Sequence, residues 1–401
     1  MNHKKLNTKV TTGLENLKQK PLKALQGKRL GLLVNQASVT SDFTHALAVI
    51  NGIYPGQLKA LFSPQHGFHG EKQDNMIESD HSFEPELNIP VFSLYSETRI
   101  PTREMFDPMD TLIIDLQDAG TRVYTFIYTI SYCLEAAAKY GREVIILDRP
   151  NPVGGTAVEG NILKMEYASF VGRFPIPMRH SMTVGEISIL FNSGLDNPCH
   201  LKVVPMEGWR RNMLFCDTAL PWVPPSPNLP TPASAMVYPG QVIWEGTNIS
   251  EGRGTAQPFE LFGAPFLDTQ HLLKAVQPRI KGAVLRPASF EPTSGKWMGK
   301  LCRGFQIHVT DPHSYEPFRT SLIMLQEIIR RHPGEFRWKE PPYEYEYERL
   351  PMDLILGDSD LRMALESAKN GCIEDIDGRI KSWEEDILIF RNKIKEFYLY
   401  A

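Results

Sequence analysis

The sequence lacks the long apolar runs and the one-sided charge that mark membrane and nucleic-acid-binding proteins. Its longest uncharged, apolar-leaning stretch, residues 123–134, is too short and too rich in Thr and Ser to span a bilayer. The 401 residues carry 43 basic and 47 acidic side chains, a net charge of −4. Such a balance gives no basic field that would attract nucleic acid or anionic lipid. We therefore predict that neither nucleic acid nor a membrane is a partner.

Paired cysteines are also missing. The five cysteines are odd in number and form no CxxC motif, which excludes a zinc ribbon and a disulfide framework and suits reduced thiols. The first twenty residues are charged and polar, without the apolar segment of a secretory signal. The sequence as it stands therefore predicts a soluble, cytoplasmic protein. A periplasmic or extracellular location stays open if a signal is missing from it.

The motifs of the common nucleotide and serine-hydrolase sites are absent as well. No GxGxxG follows the first predicted strand, and neither GxxxxGK[ST] nor GxSxG occurs. His66 and His69 could begin a metal site together with Asp74, but their glycine-rich loop favours hydrogen bonding or substrate contact. We predict neither a cofactor nor a metal.

Short apolar runs recur through the first 210 residues. Each is four to seven residues long and mostly uninterrupted, which is typical of strands buried on both faces of a parallel sheet. They cover residues 29–34, 58–62, 91–94, 111–116, 144–147 and 201–204. Segments with helical spacing lie between them, at 14–25, 43–50, 124–140 and 181–191. The alternation predicts an α/β fold with a Rossmann-like, mostly parallel sheet.

The amino-acid composition changes in the second half of the chain. Residues 222–240 contain six prolines in 19 residues, a density that predicts an extended loop. Beyond it, residues 304–309 read as a strand, and 318–330 and 380–395 as helices. We predict a catalytic domain over residues 1–265 and a smaller α+β auxiliary domain over residues 266–401.

Polar side chains follow the predicted parallel strands. Ligands of open parallel sheets bind at the carboxyl ends of the strands, so these side chains should share one rim. They include Asn35, Gln65, His66, Glu71, Asp115, Asp118 and Arg122, with the aromatic residues Tyr95, Tyr124, Phe126 and Tyr128. Carboxylates supply acid–base chemistry, amides and arginines bind fixed polar groups, and aromatic faces receive a sugar ring. The rim suits hydrolysis of a carbohydrate with an acidic or amide substituent.

Seven motifs, in order along nearly the whole chain, resemble the DUF1343 family. They are GKRLGLLVNQASV, LFSPQHGFHGE, IIDLQDAGTRVYTFIYT, LDRPNPVGG with VEG, PIPMRHSMTVGE, WVPPSPNLPT and WEGTNISEGRGT. The family's characterised members are exo-acting β-N-acetylmuramidases of the NamZ type. The resemblance implies a Rossmann-like domain with the active-site cleft, a smaller auxiliary domain, and release of N-acetylmuramic acid (MurNAc) from the non-reducing end of peptidoglycan fragments, as in cell wall recycling.

One residue departs from the family pattern. The resemblance implies a catalytic glutamate where this chain has Gln65, and an amide cannot act as a general acid. Glu71, in the same loop, is our first candidate for the catalytic carboxylate and Asp118 the second. A solvated loop charge for Glu71 and a turn cap for Asp118 stay open, as do a binding protein that has lost catalysis and a hydrolase of another acidic or acetylated glycan.

The remaining candidates are assigned to substrate binding. Arg122 and Tyr124 lie at the N-terminus of a predicted helix, where the lactyl carboxylate of MurNAc could bind, although an ion pair of Arg122 with Asp115 or Asp118 is an equal alternative. Loops expected to fold over the cleft contribute Asn228, Glu245, Asn248, Glu251 and Arg253, of which the last two could simply pair with each other. Asn35, Gln65, His66 and Asp115 complete the predicted substrate-binding set.

Overall fold

The computed structural model describes residues 9–73 and 76–401. Its main sheet has seven strands in the order β3-β4-β2-β1-β5-β6-β9, all parallel except β3, which runs antiparallel to β4 at one edge. These strands are β1 (Leu30–Val34), β2 (Leu58–Ser63), β3 (Ser82–Glu84), β4 (Ile89–Ser93), β5 (Thr111–Asp115), β6 (Glu143–Leu147) and β9 (His200–Val204). The α/β fold with a mostly parallel sheet is confirmed.

All six predicted strands of this sheet are present. Every residue of β1 and β5 is buried, because helices cover both faces of the sheet at its centre. From β1 the chain builds one half of the sheet through β2 and β4, and from β5 the other half through β6 and β9. The order therefore reverses between β1 and β5, where ligands of such sheets commonly bind.

Two further sheets complete the fold. The two-stranded sheet pairs β7 (Glu159–Ile162) with β8 (Pro177–Arg179). The three-stranded antiparallel sheet has the order β10-β12-β11, formed by β10 (Leu261–Ala264), β11 (Ala283–Phe290) and β12 (Cys302–Val309). This second sheet and the helices around it form the smaller C-terminal part, as predicted, while the division at residue 265 stays a prediction.

The helices pack around these sheets. In the first half they are α1 (Gly13–Gln19), α2 (Ala46–Ile53), α3 (Arg103–Phe106), α4 (Phe126–Tyr140) and α5 (Val184–Ser193). In the second half they are α6 (Pro232–Gln241), α7 (Thr269–Val276), α8 (Pro317–Arg331), α9 (Pro351–Leu356), α10 (Ser359–Glu366), α11 (Ile376–Ser382) and α12 (Glu384–Ile394). None of the helices in the described ranges is long and apolar enough to cross a membrane.

Local signals explain where several helices begin and end. Helix α4 ends at Gly141, which takes the left-handed conformation at φ 65° that glycine tolerates best. Helix α5 begins with a capping box, in which Thr183 and Glu186 exchange side-chain and backbone hydrogen bonds. The helices predicted over 124–140 and 181–191 are thus confirmed as α4 and α5.

Three predicted elements differ from the structure. The helix predicted over 14–25 ends at Gln19, because Pro21 cannot donate a backbone hydrogen bond and forces Lys20 out of the helical region. The helix predicted over 43–50 begins only at Ala46, since Phe43 has a positive φ of 62° in the preceding turn. The closing helix predicted over 380–395 is two helices, α11 and α12, separated by Trp383.

The proline-rich segment is only partly the extended loop that was predicted. Helix α6 occupies its second half, with Pro232 at the first helical position, where a missing N–H costs nothing. Thr231 caps this helix by accepting a hydrogen bond from the backbone of Ser234, and Pro239 lies inside it. The prediction of a loop over residues 232–240 was therefore wrong. Helix α6 carries Tyr238, which lines a pocket at the main sheet.

Candidate active site

A small pocket of about 30 Å³ lies between the carboxyl end of β2, the start of α4 and the second half of the chain. The main-sheet side contributes Gln65 and His66, and the start of α4 contributes residues 123–126. Loops and helices after residue 225 close the other side with Ser226, Asn228, Tyr238, Glu245, Arg253, Phe259, Tyr343 and Glu344. Polar side chains from distant parts of the chain thus face one confined space.

Gln65 is held rigidly at the wall of this pocket. The Thr125 hydroxyl donates a hydrogen bond of 2.6 Å to the Gln65 side-chain oxygen. The amide nitrogen of Gln65 therefore points the other way and donates to Oε1 of Glu344 at 3.1 Å. Where the family resemblance implies a carboxylate, this chain has an amide that orients another carboxylate.

Glu344 is a buried carboxyl group in an unusual stretch of backbone. Glu344 and Tyr345 both have positive φ values, 46° and 68°, which is rare for residues other than glycine and costs free energy. A hydroxyl hydrogen bond from Tyr95, 2.6 Å long, reaches Oε2 of Glu344. Burial raises the pKa of Glu344; the hydrogen bonds from Tyr95 and Gln65 act against this rise, and the negative charge of Glu245 adds to it. Glu344 therefore keeps a proton to a higher pH than an ordinary glutamate.

Glu245 is the second carboxylate of the pocket, and it contacts an arginine and a tyrosine hydroxyl. The Arg253 guanidinium lies 2.7 Å from Oε1 of Glu245, and the Tyr343 hydroxyl donates to Oε2 at 2.7 Å. Arg253 also contacts Glu251 at 3.2 Å, and Glu251 accepts a hydrogen bond from Lys296 at 2.8 Å. Charge pairing of this kind stabilises an anion in a buried site.

His66 contributes a neutral ring. Burial lowers the pKa of His66 to about 4, and its Nδ1 lies 2.7 Å from the backbone oxygen of Lys72. The side chain can donate or accept a hydrogen bond but carries no charge near neutral pH. Asp74, the third member of the disfavoured metal site, lies outside the described residues, and within residues 9–73 and 76–401 no three metal-binding side chains come together.

The structure brings six of the predicted site residues into the pocket. They are Gln65, His66, Tyr124, Asn228, Glu245 and Arg253. These residues come from four separate stretches of the sequence, so their proximity arises from the fold.

The two predicted catalytic residues lie elsewhere. Glu71 is exposed, and its carboxylate accepts a hydrogen bond from the backbone of His69 at 3.1 Å. Asp118 is buried and caps a turn by accepting from the backbone of Gly120 at 2.6 Å, with His180 at 3.5 Å. Neither lines the pocket, so the geometry favours Glu344 and Glu245 for the chemistry.

Four predicted binding residues are engaged in the protein itself. Asn35 donates from its amide to the backbone oxygen of Pro225 at 3.0 Å, and Asn248 donates to that of Glu335 at 2.9 Å. Asp115 is paired with Arg149 through two hydrogen bonds, of 2.5 and 2.8 Å. Glu251 pairs with Arg253, as the alternative interpretation predicted. These side chains stabilise loops beside the pocket and do not line it.

Arg122 also has a setting that differs from the sequence interpretation. Its guanidinium is fully buried and donates to four backbone oxygens, those of Asn161, Ile176, Ile355 and Leu356, at 2.7–3.1 Å. Neither the ion pair with Asp115 or Asp118 nor a position facing the pocket is seen. The reason is that the segment before α4 turns Arg122 toward the two-stranded sheet and α9.

Sequence reasoning missed the most telling residue of the pocket. Glu344 lies in the YEYEY segment, residues 343–347, about 280 positions after Gln65 and outside the predicted catalytic domain. The only local signal was the alternation of acidic and aromatic side chains directly after two prolines. Because no periodic element surrounds it, sequence patterns gave no reason to place it at the sheet.

The pocket thus contains two buried carboxyl groups, Glu344 and Glu245, in different surroundings and among amide, hydroxyl and aromatic groups. Such an arrangement is typical of glycoside hydrolases. Comparison with known proteins agrees with this class. Residues 30–233 match the family described as exo-beta-N-acetylmuramidase NamZ, N-terminal, and residues 236–400 match its C-terminal counterpart.

Individual relatives extend over almost the entire chain. The peptidoglycan beta-N-acetylmuramidase NamZ of Bacillus subtilis (strain 168) is 41% identical over 393 residues, which are 98% of this chain and 92% of the relative. A crystal structure of a DUF1343 family protein from Bacteroides fragilis NCTC 9343 is 32% identical with a TM-score of 0.87, and a second one is 27% identical with a TM-score of 0.75. Each covers 98% of this chain and 99% of its own.

The chain belongs to the exo-β-N-acetylmuramidase NamZ family. The family resemblance drawn from the seven motifs is thereby confirmed.

Proposed function

We propose that this protein is an exo-acting glycosidase that releases MurNAc from the non-reducing end of peptidoglycan fragments. The observation that carries the proposal is the pairing of Glu344 and Glu245 in one confined pocket of a chain from this family. A pocket enclosed by two halves of the chain suits the terminal sugar of a glycan better than an internal one.

Glu344 is assigned the role of general acid. Glycoside cleavage requires a proton on the leaving oxygen, and a buried carboxyl group with a raised pKa holds that proton to a higher pH than an ordinary glutamate does. The amide of Gln65 and the hydroxyl of Tyr95 fix both oxygens of Glu344 in place. In this chain the acid is therefore supplied by the second half of the chain, and Gln65 positions it.

Glu245 is assigned the role of the anionic partner. The transition state of glycoside hydrolysis carries positive charge on the sugar ring, which a nearby carboxylate stabilises. The ion pair with Arg253 and the hydrogen bond from Tyr343 hold the side chain of Glu245 in a fixed orientation. Glu71 and Asp118, the catalytic carboxylates predicted from the sequence, should be tested beside Glu344 and Glu245.

The remaining lining groups suit the substituents of MurNAc. Ser226, Asn228 and Thr125 offer hydroxyl and amide groups for the hydroxyls and the acetamido group of the sugar. Tyr124, Phe126 and Phe259 contribute aromatic surface, on which an apolar sugar face can pack.

We further propose that the protein works in the cytoplasm on imported or recycled fragments. Cys216 and Cys372 are exposed free thiols, which persist best in a reducing compartment. Fractionation of the producing cells would test this location, and recovery of the protein outside the cytoplasmic membrane would contradict it.

The proposed activity is tested with two disaccharides of opposite sequence. The pure protein should release free MurNAc from MurNAc–GlcNAc, where GlcNAc is N-acetylglucosamine, and leave GlcNAc–MurNAc intact, as followed by chromatography of the products. No release of MurNAc above a buffer control across about pH 5–8 would contradict the proposal.

A binding protein that has lost catalysis is the second candidate, because Gln65 stands where the family resemblance implies a glutamate. This candidate predicts that MurNAc–GlcNAc binds without turnover and that Gln65→Glu creates activity. If the wild-type protein turns over faster than the Gln65→Glu variant, the binding-only function fails. A panel of GlcNAc, glucuronate and sialyl glycosides separates the proposed activity from that of a hydrolase for another glycan.

A further inference from the structure

We propose that Lys296 is a positioning residue of the active site, which acts through two intervening side chains on the carboxylate of Glu245. The two intermediaries are Glu251 and Arg253. The inference rests on the proposed function and adds to it a residue from the loop between β11 and β12. Lys296 does not line the pocket, so any effect on the reaction has to pass through other side chains.

The ammonium group of Lys296 makes three hydrogen bonds. Its Nζ donates to the backbone oxygens of Trp244 and Ile249, at 2.6 and 3.1 Å. It also donates to Oε2 of Glu251 at 2.8 Å. A lysine ammonium has three N–H donors, so all of them are used and the nitrogen carries its charge. The two backbone oxygens belong to residues next to Glu245 and close to Glu251 in sequence, so one nitrogen fixes the chain near both acids.

Charges of alternating sign lead from Lys296 into the pocket. Oε1 of Glu251 lies 3.2 Å from Nε of Arg253, and Nη2 of Arg253 lies 2.7 Å from Oε1 of Glu245. Between 5% and 22% of each of these four side chains is exposed. At such burial opposite charges interact more strongly than at the surface, and removing one charge leaves its neighbour uncompensated. Lys296 therefore balances Glu251, so that Arg253 remains available to Glu245.

The charge of Lys296 also keeps Glu251 ionised. Burial raises the pKa of Glu251, but the charges of Lys296 and Arg253 and the hydrogen bond from Lys296 outweigh it, so that this pKa lies below the ordinary value of a glutamate. Without Lys296, Glu251 would take up a proton at a higher pH and hold Arg253 less tightly. A change at Lys296 should therefore alter the pH dependence of the reaction as well as its rate.

The loop that carries Lys296 is held beside the site by contacts of its own. Nε1 of Trp297 donates to the backbone oxygen of Asn248 at 2.6 Å. A Cβ atom at Gly295 would lie 3.9 Å from Cβ of Arg253, so the loop passes directly beside that arginine. Because Trp297 fixes the loop independently, substitution of Lys296 alone should leave the loop in place.

The test compares three variants of this loop on MurNAc–GlcNAc. Lys296→Met keeps most of the length of the side chain and removes its charge, whereas Lys296→Arg keeps the charge but not the geometry of the three hydrogen bonds. Lys300→Met removes the same charge from an exposed position of the same loop and is the matched control. Thermal unfolding followed by circular dichroism establishes that each variant is folded.

We expect Lys296→Met to lower kcat by about 10–100-fold, because Glu245 loses its fixed position, and to change KM by less than about threefold. The acidic limb of its kcat profile should move to higher pH by about one unit, since Glu251 takes up a proton more readily. Lys296→Arg should keep the wild-type limb with a smaller loss of kcat, and Lys300→Met should match the wild type in both.

A double variant shows whether the effect passes through Glu251. If it does, Lys296→Met combined with Glu251→Gln should lose no more activity than the more impaired single variant, because both changes break the same chain of contacts. Losses that add up overturn the proposal, as does a wild-type kcat in Lys296→Met or an equal loss in Lys300→Met.

Two further outcomes are decided by the same set of proteins. Should Lys296→Met alone fail to fold, the double variant is compared with Glu251→Gln, and a further loss of about tenfold or more overturns the proposal. A wild-type protein that does not cleave MurNAc–GlcNAc overturns the proposed function, and this inference with it.

Discussion

At the scale of single residues, the site replaces one acidic group by another from a different part of the chain. Gln65 keeps the position expected of a catalytic residue but can only donate and accept hydrogen bonds. Glu344 lies within hydrogen-bonding distance of it and is buried, which gives it the raised pKa of a general acid. The function thus depends on a contact between residues far apart in sequence.

The hydrogen bond from Tyr95 offers a way to change the pKa of Glu344 by mutation. This bond stabilises the charged form of Glu344 and lowers its pKa, so Tyr95→Phe should raise that pKa. Because the reaction needs protonated Glu344, the rate falls as the pH rises through this pKa, and the alkaline limb of the kcat profile should move to higher pH. Tyr54→Phe removes a buried hydroxyl bonded to Leu22 on the far side of the sheet and serves as control. An unshifted limb in Tyr95→Phe would contradict the role of Glu344.

How far the sequence predicts the site depends on where each residue lies. Gln65 and His66 follow a buried strand, so the rule that ligands bind at the carboxyl ends of parallel strands finds them. Glu245 and Arg253 were found from polar loops and the family resemblance. Glu344 was not, because its place depends on an irregular turn with two positive φ values that no periodic pattern reveals.

At the scale of elements, the sheet was predictable and the proline-rich segment was not. Uninterrupted apolar runs predict buried parallel strands well, as in β1 and β5. Prolines argue against helices in general, yet α6 accepts Pro232 at its first position. The sequence does contain a signal for the start of this helix, Thr231 directly before Pro232. The high proline content of the segment hides that signal when only composition is considered.

Strand β7 carries Glu159, a half-buried acid with one fully buried carboxyl oxygen, and its titration should affect the free energy of unfolding. Burial raises the pKa of Glu159 to about 7, while a backbone hydrogen bond from Arg319 and the charge of Arg179 act against this rise. The pKa of Glu159 is higher in the folded than in the unfolded protein. The free energy of unfolding is therefore highest at low pH, where Glu159 is protonated, and it falls as the pH rises toward 7. Between about pH 4.5 and 8 the wild-type protein should lose about 3 kcal/mol more unfolding free energy than Glu159→Gln.

Urea unfolding at several pH values checks this expectation. Glu384→Gln, an exposed position at the start of α12, is the control and should follow the wild-type curve. Parallel curves for wild type and Glu159→Gln would show that Glu159 does not titrate in this range.

At the scale of the whole molecule, Arg122 joins the first half of the chain to the second. Its four hydrogen bonds reach the two-stranded sheet and the end of α9, so the start of α4, which lines the pocket, is tied to the C-terminal half. Burial lowers the pKa of Arg122 to about 10, which still leaves it charged at neutral pH. Through these hydrogen bonds Arg122 connects the start of α4 to the half of the chain that carries Glu245 and Glu344.

Replacing this arginine tests its role as a structural link. Arg122→Met leaves buried backbone oxygens without donors, each at a cost of about 1–3 kcal/mol, so we expect a loss of several kcal/mol in unfolding free energy. Arg103→Met, at an exposed position in α3, should change stability little. A variant at Arg122 that keeps its stability but loses affinity for MurNAc would instead support the original assignment to the lactyl carboxylate.

The measurement closest to the central claim compares Glu344→Gln with Glu71→Gln on MurNAc–GlcNAc. Loss of a general acid costs about 10²–10⁴-fold in rate, so kcat of Glu344→Gln should fall by that factor while substrate still binds. Glu71 is exposed and outside the pocket, so kcat of Glu71→Gln should stay within about threefold of wild type. The opposite result, an active Glu344→Gln and an inactive Glu71→Gln, would contradict the account and return the acid to the loop after β2.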